Sequence, residues 1–221
     1  IYDNKMAVLS GDYFLSTALI KSILTGNMEI ISSISGLGRS LAEGELNQLS
    51  LAKEIILDED EYFEVIKKKT ASLLAVCMKI GALSVDAPRE DVDKFEKLGE
   101  ALGICFQLRD DIFDYFSDNV GKPTGNDIRE GKVTLPLLFA LKNADSVVSD
   151  SMKSIIEKAL FSDQEVDTLI NFAKDSGGID YAYNKIDFHK KIAIDIIDTL
   201  EAGDIKDSLL HTVDYVVERV Y

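Results

Sequence analysis

Tryptophan is absent from these 221 residues; proline occurs three times, cysteine twice and histidine twice. Three prolines leave long stretches with nothing to stop a helix, and the alternation and turn dipeptides that mark hairpins are essentially missing. The chain is therefore expected to be almost purely helical. Cys77 and Cys105 sit in apolar stretches with no CxxC or zinc-ligand spacing. Both are expected to be buried thiols of a reducing cytoplasm. Zinc and haem chemistry find little support in His189 and His211, each read as an ordinary helix residue. No apolar run approaches the ~20 residues that span a bilayer, and no signal-peptide pattern is visible. Basic residues are also short, 24 Lys and Arg against 39 Asp and Glu, for a net charge of −15. This argues against nucleic acid and anionic membrane surfaces as partners. An anionic substrate would need metal ions and local lysines to reverse the sign at its site.

Apolar residues are plentiful, at 46% of the chain, enough for a sizeable core. Helices are expected over 6–25, 28–56, 60–85, 86–117, 133–143, 147–161, 163–175, 179–202 and 204–219. The second half of 60–85 is apolar enough to be fully buried. Gly36, Gly38 and Gly44 inside the second helix cost helix stability, which points to close packing or substrate access there. Pro88 with Glu90 and Asp91 is a helix start. Ser162-Asp163-Gln164-Glu165 is a capping-box pattern, and Gly177-Gly178 breaks the chain. No linker composition or internal repeat appears. The expectation is one domain over 1–221, an all-α bundle around a central cavity.

The most informative stretch is 103–136, GICFQLRDDIFDYFSDNVGKPTGNDIREGKVTLP. At about 100° per residue, Gln107, Asp110, Asp111 and Asp114 share one helix face. Three acids crowded so closely repel one another unless a cation sits between them. Lys122 and Lys132 follow in a glycine-rich loop with Asp127, and imply that the cation has an anionic partner. Carboxylates and phosphates around a hard cation form a magnesium arrangement. An acidic helix face is most often a solvated one. Here Ile104, Phe106, Leu108, Ile112, Phe113, Tyr115 and Phe116 hem it in, which argues for a lined cavity.

Other signals are weak one by one. Lys69-Thr70 stands where the 60–85 helix turns apolar. Glu43, Glu45 and Gln48 lie in EGELNQL, where a solvated stripe is the default reading. Asp12 in GDYFLSTAL reads equally well as a satisfied core acid.

In order, GDYFLSTAL, EGELNQL, KKKTASLL, GICFQLRDDIFDY and GKPTGNDIREGKVTLP resemble the successive motifs of trans-isoprenyl diphosphate synthases. The likeness is greatest to polyprenyl enzymes of the octaprenyl type. It covers essentially the whole chain. It implies the all-helical isoprenoid synthase bundle, usually a homodimer, and Mg2+-dependent condensation of isopentenyl diphosphate with an allylic diphosphate, releasing diphosphate. It makes Asp110, Asp111 and Asp114 the second aspartate motif, with Asp110 the direct metal ligand and the other two acting largely through water. Lys69, Lys122 and Lys132 match the lysines that hold the allylic diphosphate. Thr70, Gln107 and Asp127 match accessory positions, and Phe106 an aromatic near the isoprenoid groups.

The family's first aspartate motif would stand upstream of IYDNKMAVLSGDYF. The 221 residues are therefore expected to be an N-terminally incomplete synthase domain that does not catalyse elongation as it stands. A non-catalytic partner subunit of a heteromeric synthase is the alternative. A terpene cyclase or head-to-head synthase on the same fold is a third reading, against which the GKPTGND loop argues.

Overall fold

The structure, a computed structural model, describes residues 3–51, 57–116, 124–158 and 160–219, without the side chains of 49–51. Among these there is no strand. Helix α1, Asn4–Ile23, begins where the Asp3 carboxylate accepts the Met6 N–H at 2.9 Å, and packs along α2, Met28–Leu51. The Asn27 side chain opens α2 by accepting from the Glu29 and Ile30 amides. Helix α3, Glu59–Ile66, is capped by Asp58. It runs into a π-helical turn, Lys67–Ala71, and then into α4, Ser72–Leu83. Residues 52–56 of the expected second helix lie outside the described residues.

Helix α5, Arg89–Phe113, is the axis of the fold. Pro88 stands at its N-cap and Glu90 and Asp91 in its first turn. Leu98, Leu102, Cys105, Leu108 and Ile112 recur at helical spacing, and each is at most 2% exposed. Burying one such leucine contributes about 1.5–3 kcal/mol. The helix ends at Phe113, four residues before the expected Ser117.

The expected loop after α5 contains a short helix, α6, Asn126–Arg129. Then come α7, Leu135–Asn143, and α8, Ser146–Ile156. Helix α9, Asp163–Asp175, has the Ser162–Glu165 capping box in both of its bonds. Helix α10 is Gly178–Ile197 and α11 is Asp204–Glu218. A Cβ at Gly178 would stand 2.2 Å from the Pro136 carbonyl oxygen, so glycine is what lets α10 start against α7.

The core has two parts. A larger cluster includes Leu108, Ile112, Leu135, Leu138, Leu169 and Ile186. A smaller one holds Leu98, Leu102, Ala193, Ile197 and Val213.

Two expectations are corrected. The apolar half of 60–85 is not fully buried, because α4 packs on α2 and α5 and leaves its remaining side open. Leu73, Cys77 and Gly81, spaced four apart, all lie on that side. Cys77 is therefore an exposed thiol, whereas Cys105 is buried as expected, and burial pushes its pKa up to about 12.

Candidate active site

A cavity of about 840 Å³ opens between α3, the π-turn, α5, the α6 segment and α7; Tyr62, Lys69, Gln107, Asp110, Asp111, Asp127 and Lys132 line it. Helix α5 presents Gln107, Asp110 and Asp111 together because three- and four-residue steps return to one face. Their surroundings differ. The Asp110 side chain is 53% exposed, while Asp111 is 4% exposed.

The Tyr62 hydroxyl donates to Asp111 Oδ2 at 2.6 Å, and Gln107 Nε2 donates to Oδ1 at 2.7 Å. Thr70 Oγ1 in turn donates to Gln107 Oε1 at 2.6 Å. The result is a chain of hydrogen bonds joining the π-turn, α5 and α3. Burial pushes the Asp111 carboxyl up to about 7, against the pull of its two donors. Burial, with Asp111 beside it, holds the Tyr62 phenol well above its ordinary value, so its proton stays and donates.

Asp114 turns to the loop instead. Its two oxygens accept the Asn126 and Asp127 amides at 2.8 and 3.0 Å. Burial, followed by the charge of Asp127, raises its pKa. By gripping the start of α6, Asp114 fixes where Asp127 and Lys132 stand. Lys132 Nζ lies 2.8 Å from Asp127 and 2.6 Å from Glu130. Burial alone would lower the pKa of this ammonium; the bonds it donates to the two carboxylates outweigh that and raise it.

Lys69 faces α2, where it donates to Gln48 and lies 3.0 Å from Glu45. Thr70 reaches the site through Gln107 and is not part of the cavity wall. Phe106 is likewise outside the wall; the Arg219 guanidinium covers its ring at 3.8 Å. Lys122 lies outside the described residues.

The sequence reading missed two participants. Tyr62 stands seven residues before Lys69, two helical turns earlier, a spacing that would have put it on the same side. Arg219, from the far end of the chain, lies 3.5 Å from Asp110 and donates to the Phe106 carbonyl. No local pattern announces it.

Asp111 and Asp114 are thus held by short hydrogen bonds within the protein, while Asp110 has only the longer approach of Arg219 at 3.5 Å. Among the described residues, no group of three or more His, Cys, Asp or Glu side chains could hold a metal ion. The donor set fits a different kind of site. Asp110, half-exposed beside Arg219, is a hard-oxygen ligand on a cavity that also carries Lys69 and Lys132, suited to a divalent cation taking its remaining oxygens from water and a diphosphate.

The sequence pattern of the polyprenyl synthetase family matches residues 1–173. The short chain isoprenyl diphosphate synthase of Methanothermobacter thermautotrophicus is 30% identical over 225 residues, 99% of this chain and 69% of that protein. The octaprenyl diphosphate synthase of Haemophilus influenzae is 29% identical over 222 residues, 100% of this chain and 67% of that protein. Among solved structures, geranylgeranyl pyrophosphate synthase from Bacteroides thetaiotaomicron superposes with a TM-score of 0.91 at 47% identity, covering 98% of this chain and 72% of that one. The polyprenyl synthase of Caulobacter crescentus, solved in complex with calcium and isoprenyl diphosphate, gives a TM-score of 0.89 at 28% identity over 97% of this chain and 66% of that one. With that match over most of its length and the shared helical bundle, the chain belongs to the polyprenyl synthetase family.

Proposed function

We propose that this cavity binds an allylic diphosphate for condensation with isopentenyl diphosphate, with magnesium as the metal. The observation that carries the reading is the convergence of Lys69, Lys132 and Asp110 on one cavity in a chain of net charge −15. The reaction class is that of a prenyltransferase: the allylic C–O bond breaks with its electron pair leaving on diphosphate. The alkene of isopentenyl diphosphate then bonds to the allylic carbon, and the resulting cation loses a proton. Lys69 and Lys132 offset the charge that grows on the leaving diphosphate. Asp110 would help hold a magnesium ion, whose charge would further stabilise the leaving diphosphate. Asp111 holds Tyr62 and Gln107 in place beside it, and Asp114 and Asp127 position Lys132. Lys122, by its place in the motif, joins the lysines.

A second copy of the chain is the proposed partner. Tyr13, Phe14 and Leu24 of the α1 segment are 68, 71 and 74% exposed, an apolar face of the kind that marks an interface. No helix among the described residues is long and apolar enough to cross a membrane. The exposed thiol of Cys77 accords with a reducing, cytoplasmic setting. None of the relatives named above supports a non-catalytic subunit.

The test is an elongation assay on the full reading frame that contains these 221 residues, with magnesium, isopentenyl diphosphate and geranyl diphosphate. Asp110→Ala should lower turnover by orders of magnitude with helix content unchanged. Lys69→Ala and Lys132→Ala should each remove a charge-assisted contact of about 1.5–3 kcal/mol, raising KM for the allylic substrate. Parent-like kinetics in all three would reject the assignment.

A further inference from the structure

The π-turn Lys67–Ala71 is gripped from two sides by glycines. In this turn the Ser72 amide reaches back five residues to the Lys67 carbonyl, so one residue more than an α-turn holds is fitted in. On one side lies α2. A Cβ on its buried Gly44 would stand 2.8 Å from the Lys69 backbone nitrogen and 3.1 Å from the Lys68 carbonyl carbon. On the other side lies α5, where a Cβ on Gly103 would stand 2.4 Å from Ala71 Cα. Both neighbours are backbone or Cβ atoms and cannot swing aside as a side-chain tip would. Between these two contacts the turn sends consecutive side chains to different helices: Lys69 toward Gln48 and Glu45 of α2, Thr70 to Gln107 of α5 at 2.6 Å.

We propose that Gly44 is a positioning residue for Lys69: its bare backbone lets α2 seat the π-turn, and that seating sets where the lysine meets the diphosphate. Gly103 supports the same turn from the opposite side. The inference rests on the reading of Lys69 as a diphosphate ligand. It assigns a functional consequence to a glycine that touches no substrate. A methyl group at Gly44 meets the main chain of Lys69, so α2 and the turn must move apart and Lys69 loses its place against Gln48 and Glu45. A displaced Lys69 forfeits much of its charge-assisted contact with the diphosphate, roughly tenfold in affinity.

The experiment measures Kd for geranyl diphosphate in magnesium buffer, without isopentenyl diphosphate, for the parent, Gly44→Ala, Lys69→Ala and the double variant. Thermal unfolding and helical circular dichroism are recorded for each. Gly81→Ala is the control, since nothing stands within 4 Å of a Cβ there. Lys69→Ala should weaken binding about tenfold or more. Gly44→Ala should weaken it by about tenfold while keeping the helical signal, and Gly81→Ala should bind as the parent does. In the double variant the losses should not multiply, because residues acting through one contact are not additive; binding should match Lys69→Ala within about twofold. An unaffected Lys69→Ala would refute the reading of Lys69 as a diphosphate ligand, and the inference with it. With Lys69→Ala impaired, the inference on Gly44 is overturned by parent-like binding of Gly44→Ala or by losses that multiply in the double variant. Loss of helical structure in Gly44→Ala would overturn it as well, by making Gly44 a residue of the fold alone.

Discussion

The hydroxyl of Tyr62 and the carboxylate of Asp111 meet at 2.6 Å across 49 positions of sequence, at the buried end of the cavity. The bond fastens α3 to α5 beside the residue that carries the exposed acid, Asp110. Tyr62→Phe keeps the ring and removes the donor, leaving a buried carboxyl oxygen without it. The expected cost is about 1–3 kcal/mol by denaturant unfolding. A change below a few tenths would mean that water replaces the hydroxyl without loss.

Asp114 has a similar duty toward the loop. Asp114→Ala frees the Asn126 and Asp127 amides that its oxygens now accept, at about 1–3 kcal/mol. Amide exchange at Asn126 and Asp127 should accelerate, and the effect should stay local. Unchanged exchange there would show that α6 stands without its cap.

Arg219 approaches Asp110 to 3.5 Å and so competes with any cation at that carboxylate. A single partly screened contact of this length is worth ~0.2–1 kcal/mol. Arg219→Gln should therefore lower the half-saturating magnesium concentration, by about fivefold at most. A rise in that concentration would show that Arg219 assists the loaded site.

His189 sets a pH dependence. Burial first, then the charges of Lys67 and Lys185, lower its pKa from 6.5 to about 4; the rings of Phe63 and Phe188 pack against it, and Glu59 pairs with Lys185. Between these two values the unfolded chain binds the proton and the folded chain does not. Stability from this group is thus fully present above about pH 6.5 and falls as pH drops toward about 4. His189→Phe should flatten that part of the curve of melting temperature against pH. A parent-like slope in the variant would assign the acid sensitivity to other groups.

Elements with local signals were legible in the sequence. The Ser162–Glu165 box starts α9 at Asp163 as expected, because a capping box is a contact among neighbours in sequence. The two-glycine break before α10 was readable for the same reason. The π-turn was not, since KKKTA carries no mark of a hydrogen bond shifted by one residue. Of the three glycines noted in α2, Gly36 faces open space and Gly38 only the tip of Leu15 at 3.8 Å, while Gly44 abuts backbone; composition cannot rank them. Helical spacing brought Gln107, Asp110 and Asp111 to one wall. It could not foresee that Tyr62 and the α6 amides would engage two of the three acids, because those partners come from other helices.

Helices α5 and α10 each pass through both apolar clusters. The larger cluster backs the cavity, and the smaller lies toward the other end of the same two helices. The pair therefore forms a spine shared by two apolar clusters. The smaller cluster, resting on Leu98, Leu102, Ala193, Ile197 and Val213, should open at a lower free energy than the larger, leaving the cavity walls in register. Amides of α5 around Leu108 and Ile112 should then exchange more slowly than those around Leu98.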